Sequence, residues 1–191
     1  MRPTISDTPN RFHHENCGCA RMIDRGRLSR RRLLALGAGA AFVGMLPFKG
    51  YAASGDYEAM LLTCIDPRFV SLHHNYMNGR GLKDKYSQFV IAGGPAALAT
   101  PKFADWHKAF WDNLAVTVQL HNIKKVVALS HRDCGAVKLA WGEASVASAK
   151  AETDTHKQIL SEFRALVAKN QPKLGVETGI IGLDGKVEMA G

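Results

Sequence analysis

Val126-Val127-Ala128-Leu129-Ser130-His131-Arg132-Asp133-Cys134-Gly135 is the stretch that decides the fold. Four apolar residues in succession, without polar alternation, predict a strand buried on both faces. A His, a Cys and a Gly follow where that strand ends. The same layout occurs earlier in the chain. Tyr57-Glu58-Ala59-Met60-Leu61-Leu62-Thr63 reads as a second buried strand, and Cys64-Ile65-Asp66-Pro67-Arg68 leaves it directly.

Between and around these strands the pattern changes to a helical period. Phe69 to Met77 predicts a helix, stopped by Asn78-Gly79 and Gly81. Phe89-Val90-Ile91-Ala92 predicts a strand ended by Gly93-Gly94-Pro95. Thr100 with Pro101 marks a helix start, because proline's missing N–H costs nothing at a first helical position. Phe103, Trp106, Phe110, Leu114 and Val118 then fall at spacings of three and four, which makes one apolar stripe running to about Asn122. Thr153 to Lys169 predicts another amphipathic helix, and Gly179 to Met189 a closing hairpin turned at Asp184-Gly185. Strands alternating with helices give an α/β fold: a mainly parallel β-sheet flanked by helices, in a single domain over residues 53–191.

The chain is 191 residues long with a formal charge of +8, which raises the question of a polyanionic partner. The charge is not spread evenly. Residues 1–52 carry nine Lys/Arg against three Asp/Glu, and residues 53–191 carry sixteen against fourteen. The folded domain is therefore nearly neutral, and nothing in it points to nucleic acid or a nucleotide cofactor. The basic end has its own explanation. Ser29-Arg30-Arg31-Arg32-Leu33-Leu34 opens an Ala- and Gly-rich apolar run to Leu46. At 14 residues that run is short for a bilayer span, which needs roughly 20. Paired arginines before a mild apolar stretch predict a twin-arginine signal over residues 1–52, cleaved after Ala52, with export to the periplasm and no permanent membrane insertion. Cys17 and Cys19 lie in the polar part of that leader, so the mature chain keeps Cys64 and Cys134.

In open α/β sheets, binding residues gather beyond the carboxyl ends of the strands, at a topological switch point. Cys64, His131 and Cys134 all occupy such ends. Two thiolates and one imidazole form a ligand set suited to zinc, and three protein ligands leave the fourth position open, as in catalytic sites. A Cys64–Cys134 disulfide is the alternative, but it leaves His131, Asp66 and Arg68 without a purpose. His73 and His74 are expected on a helix surface, and His107, His121 and His156 in structural roles.

The pair of motifs, Cys64-x-Asp66-x-Arg68 after a first strand and His131-x-x-Cys134-Gly135 after a later one, resembles the β-class carbonic anhydrases. The likeness runs from about residue 57 to the terminal Gly182-Leu183-Asp184-Gly185-Lys186-Val187-Glu188. It implies Zn2+ held by Cys64, His131 and Cys134, an Asp66–Arg68 dyad beside it, and hydration of carbon dioxide to bicarbonate. It also implies a homodimer or higher homo-oligomer. Zinc lowers the pKa of a bound water to about 7. Asp66 is expected to take that water's proton in a hydrogen bond, and Arg68 to keep Asp66 off the metal. Asp133 is expected to cap the helix after Cys134 or to support a ligand. Many family members carry His-Arg-Asn-Ala-Gly where this chain has Ile91-Ala92-Gly93-Gly94-Pro95, so polar pocket groups are missing there. Two other readings stay open: hydrolysis of carbonyl sulfide or carbon disulfide at the same site, and a non-catalytic zinc module closed by Asp66.

Overall fold

Five strands build the sheet, in the order β2-β1-β3-β4-β5. They are β1 (Ala59–Thr63), β2 (Tyr86–Val90), β3 (Lys125–His131), β4 (Gly175–Ile181) and β5 (Val187–Met189). The first four run parallel, and β5 returns antiparallel on β4. The computed structural model describes residues 55–191; the leader expected over residues 1–52 lies outside them.

The long apolar runs of β1 and β3 are explained by cover on both faces. Met60, Leu62, Val126 and Ala128 point to one side, where Phe110, Leu114, Phe163 and Val167 meet them. Ala59, Leu61, Val127 and Leu129 point to the other side, against Met77 and Leu82. The helices are α1 (Val70–Gly79), α2 (Pro95–Leu98), α3 (Ala104–His121), α4 (Gly135–Trp141) and α5 (Ala149–Asn170), of which α1, α3 and α5 supply most of these side chains. Among the described residues, no helix is long and apolar enough to cross a membrane.

Chain order decides where a site can form. From β1 the chain goes outward to β2, then crosses back to β3 on the other flank of β1. The carboxyl ends of β1 and β3, paired in parallel through Leu62 and Ala128, therefore border the switch point.

Several boundaries differ from the sequence reading. Thr100 caps a short 3-10 turn, Pro101–Phe103, before α3 begins at Ala104. Only Phe110 and Leu114 of the expected stripe are fully buried; Trp106 is exposed and stacks on Phe103 at 4.5 Å. The last long helix starts at Ala149, four residues earlier than expected, with Ser148 accepting a bond from Ala151 N–H. β2 and β4 also begin earlier, at Tyr86 and Gly175.

Phe163 sits fully buried edge-on to Phe110, which is itself edge-on to Phe89. Phe163→Ala is expected to cost about 3–5 kcal/mol, since a relaxed core cannot refill so large a void. Urea unfolding should show the lower midpoint with an unchanged slope.

Candidate metal centre

β1 ends at Thr63, so Cys64 emerges at the top of the sheet. β3 extends to His131, and a three-residue step brings Cys134 back to it. The ligand atoms of Cys64, His131 and Cys134 all lie within 4.8 Å of one another, and all three residues are buried. Both thiols are free.

The donor set is prepared for a cation. His131 donates from Nδ1 to the Arg132 carbonyl at 2.9 Å. That bond fixes the proton on Nδ1 and leaves the Nε2 lone pair, which is buried without a protein partner. The Phe69 ring lies 4.3 Å from the imidazole and limits its tilt. Cys64 Sγ accepts the Gly93 amide at 3.1 Å, a contact that favours thiolate. The two thiols act on each other: contact with Cys134 pulls the Cys64 thiol well below its ordinary value, and the same contact pushes Cys134 up. For His131, burial opposes the charged form most strongly, but contacts with Cys64, the Arg132 carbonyl and Asp66 together turn the net direction upward. An orphaned imidazole nitrogen facing a thiolate and a thiol fits zinc.

Asp66 and Arg68 adjoin this trio. Arg68 grips the carboxylate from three sides: Nη2 to Oδ2 at 2.7 Å, Nε to Oδ1 at 3.0 Å, and its own backbone N–H to Oδ1 at 3.0 Å. The backbone bond also makes Asp66 the cap of a 3-10 turn, Pro67–Phe69. A carboxylate offers about four acceptor positions, so roughly one remains for another donor. Arg68 holds the Asp66 carboxyl down at about 2, and it stays ionised at any working pH.

The same guanidinium reaches Asp133, through Nη1 to Oδ2 at 2.7 Å and Nη2 to the carbonyl at 3.1 Å. Asp133 therefore does not cap the helix as expected. Cys134 takes the cap position, and the Asp133 carboxylate is occupied by Arg68. A cleft of about 1070 Å³ opens beside the trio, lined among others by Asp66, Arg68, Arg132, Cys134 and Lys138.

His73 is a second correction. It is buried, not on the surface, with Nε2 lacking a partner, and burial lowers its pKa to about 4. His74 is exposed, with Nδ1 3.3 Å from the Tyr86 hydroxyl. His107 donates to the Ala97 and Thr100 carbonyls, and His121 pairs with Ser87. His156 is fully buried, with Nδ1 2.6 Å from Ser130 Oγ, and so pins α5 to the residue before ligand His131. Arg132 and Glu152, absent from the sequence reading, flank the ligands: Arg132 bonds Glu152 at 3.3 Å and Glu188 at 3.2 Å.

The mainly parallel α/β sheet that carries this trio has the fold of the β-carbonic anhydrases, as solved structures show. The carbonic anhydrase of Streptococcus mutans superposes with a TM-score of 0.51 at 18% identity, covering 83% of this chain and 96% of that one. The β-carbonic anhydrase of Coccomyxa, solved in complex with acetazolamide, gives 0.50 at 19% identity, covering 85% of each chain. At such identities the likeness establishes the fold. Closer in sequence are two uncharacterised rickettsial proteins. One, from Rickettsia bellii, is 33% identical over 133 residues, 70% of this chain and 81% of the relative. The other, from Rickettsia conorii, is 35% identical over 133 residues, 70% of this chain and 72% of the relative. The chain belongs to the same family as these rickettsial proteins. No family model matches it.

Proposed function

We propose that this protein is a zinc-dependent carbonic anhydrase-type lyase that interconverts carbon dioxide and bicarbonate, exported by the twin-arginine route and working as a homodimer or larger homo-oligomer. One observation carries the reading: a carboxylate, Asp66, held ionised and saturated on one side by Arg68, directly beside a Cys2His trio.

Cys64, His131 and Cys134 would hold the ion. Zinc supplies Lewis acidity there, bringing water's pKa to about 7 so that a nucleophile exists at neutral pH. The chain's own groups do the rest. Asp66 accepts a proton in a hydrogen bond at its remaining lone pair and so orients the water that donates it. Arg68, anchored at both ends by Asp66 and Asp133, keeps that carboxylate from turning inward to become a fourth ligand. A structural zinc module has no need of such a restraint, which favours turnover.

The test is stopped-flow carbon dioxide hydration by the zinc-loaded full chain, beside Asp66→Ala. The variant should keep one zinc per chain and lose about 10²–10⁴-fold in rate. Zinc binding without hydration by the native chain would sink this reading. Turnover of carbonyl sulfide would then transfer the site to a sulfur substrate, in keeping with the apolar Ile91–Pro95 segment.

A further inference from the structure

Glu152 lies 18 residues beyond Cys134 in sequence, in the first turn of α5. Its carboxylate nevertheless reaches into the ligand loop. Oε1 accepts the backbone N–H of Asp133 at 2.6 Å, and Oε2 accepts Nη1 of Arg132 at 3.3 Å. Arg132 and Asp133 are the two residues between the ligands His131 and Cys134. One side chain thus holds the whole intervening segment.

That segment needs holding. Asp133 has φ +56°, one of three non-glycine residues at positive φ among the described residues. An aspartate tolerates this region better than most residues but does not prefer it. Every polar group of Asp133 is tied down in compensation: its amide by Glu152, its carboxylate and its carbonyl by Arg68. Arg68 is also the residue that grips Asp66. A continuous chain of charge-assisted bonds therefore runs Glu152–Asp133–Arg68–Asp66, starting on one helix and ending beside the trio. Glu152 is itself mostly buried, its place near the helix start favours its negative charge, and Arg132 neutralises it.

We propose that Glu152 is a positioning residue of the metal centre, setting the turn between His131 and Cys134 and, through Asp133 and Arg68, the orientation of Asp66. The inference rests on the zinc reading above and extends it to a side chain that touches no ligand atom. Partners of this outer kind typically change metal affinity or activity by about 10–100-fold when removed.

The test is Zn2+ affinity of the full chain, measured by competition with a chromophoric chelator. Glu152→Ala and Glu152→Asp, the latter one methylene too short to reach the Asp133 amide, should each bind zinc about 10–100-fold more weakly. Glu152→Gln keeps one acceptor oxygen for the Asp133 amide but turns an NH2 toward Arg132, so it should bind zinc more tightly than the Ala variant and more weakly than the native chain. Glu143→Ala, on the same rim but paired only with Lys138, should change nothing. If Glu152→Ala fails to fold, Glu152→Asp, which keeps the charge at the helix start, carries the comparison. Native affinity in the Ala and Asp variants overturns the proposal, and so does a Gln variant as weak as Ala. A native chain that takes up no zinc at all defeats the zinc reading itself, a result distinct from either.

Discussion

Gly94→Ala is expected to cost the protein about 3 kcal/mol or more and to abolish the zinc uptake proposed above, although residue 94 is not one of the three proposed ligands. Gly94 adopts φ 54° and ψ −123°, a conformation closed to residues with a β-carbon. Backbone strain of this kind costs of order 1–3 kcal/mol. The space is also taken: a β-carbon there would stand 2.9 Å from the Thr63 carbonyl carbon and 3.0 Å from the Cys64 nitrogen. Both obstacles are main chain at the end of β1, so neither can swing aside. Relief has to come from moving the Thr63–Cys64 peptide or the loop that carries the Gly93 amide onto Cys64 Sγ. Either movement displaces the first ligand. Gly81→Ala separates strain from clash, since Gly81 has φ 73° but open space around it. That variant should lose only about 1–2 kcal/mol and keep its zinc. Thermal unfolding and metal stoichiometry of the two variants decide the matter. A Gly94→Ala chain with native stability and full zinc would mean that the loop relaxes freely.

The ease of reading β1 and β3 and the difficulty of reading their neighbours have one physical origin. A strand covered on both faces must be apolar throughout, so Leu61-Leu62 and Val126 to Leu129 announce themselves. β2 is an edge strand with half-exposed side chains, and its opening Tyr86-Ser87-Gln88 has no apolar run to notice. The first turn of α5 has no apolar stripe, since Ala149 and Lys150 are exposed and Glu152 is drawn inward by polar contacts, so only Ser148 marks its start. The four residues of α2 are all buried, but a segment that short has no period.

The same division holds at the site. Cys64, Asp66, Arg68, His131 and Cys134 sit within a few residues of two strand ends, so local sequence brings them into view. Glu152 and His156 reach that place only because α5 packs across the sheet end, and no local pattern encodes such a contact. His73 was legible in a weaker sense. Phe69, His73 and Met77 share one helical face by their spacing of four, and two of them are plainly core residues. The expected surface position gave that face too little weight.

Cys134→Ser is expected to lower zinc affinity by roughly 10²–10³-fold and to remove activity altogether. Zinc centres built on cysteine and histidine hold the ion with about 10–16 kcal/mol, so losing one strong ligand of three forfeits several kcal/mol. Serine keeps the size and the hydrogen bond of cysteine but not its chemistry, because a buried hydroxyl does not ionise near neutral pH and is a poor partner for zinc. The native pair is poised differently. Contact between the two thiols lowers Cys64 and raises Cys134, and both can ionise to thiolates as zinc displaces their protons. A serine there would keep its proton, leaving Cys64 and His131 as the strong ligands. Thermal unfolding supplies a second readout. Zinc at a hundred times its dissociation constant should stabilise the native chain by about 2.7 kcal/mol, and the same concentration should barely stabilise the variant. The two measurements must agree, because binding only to the folded state links affinity to stability. A Cys134→Ser chain that takes up zinc as tightly as the native one would exclude Cys134 from the ligand set and redirect attention to Asp66, the carboxylate two residues beyond Cys64.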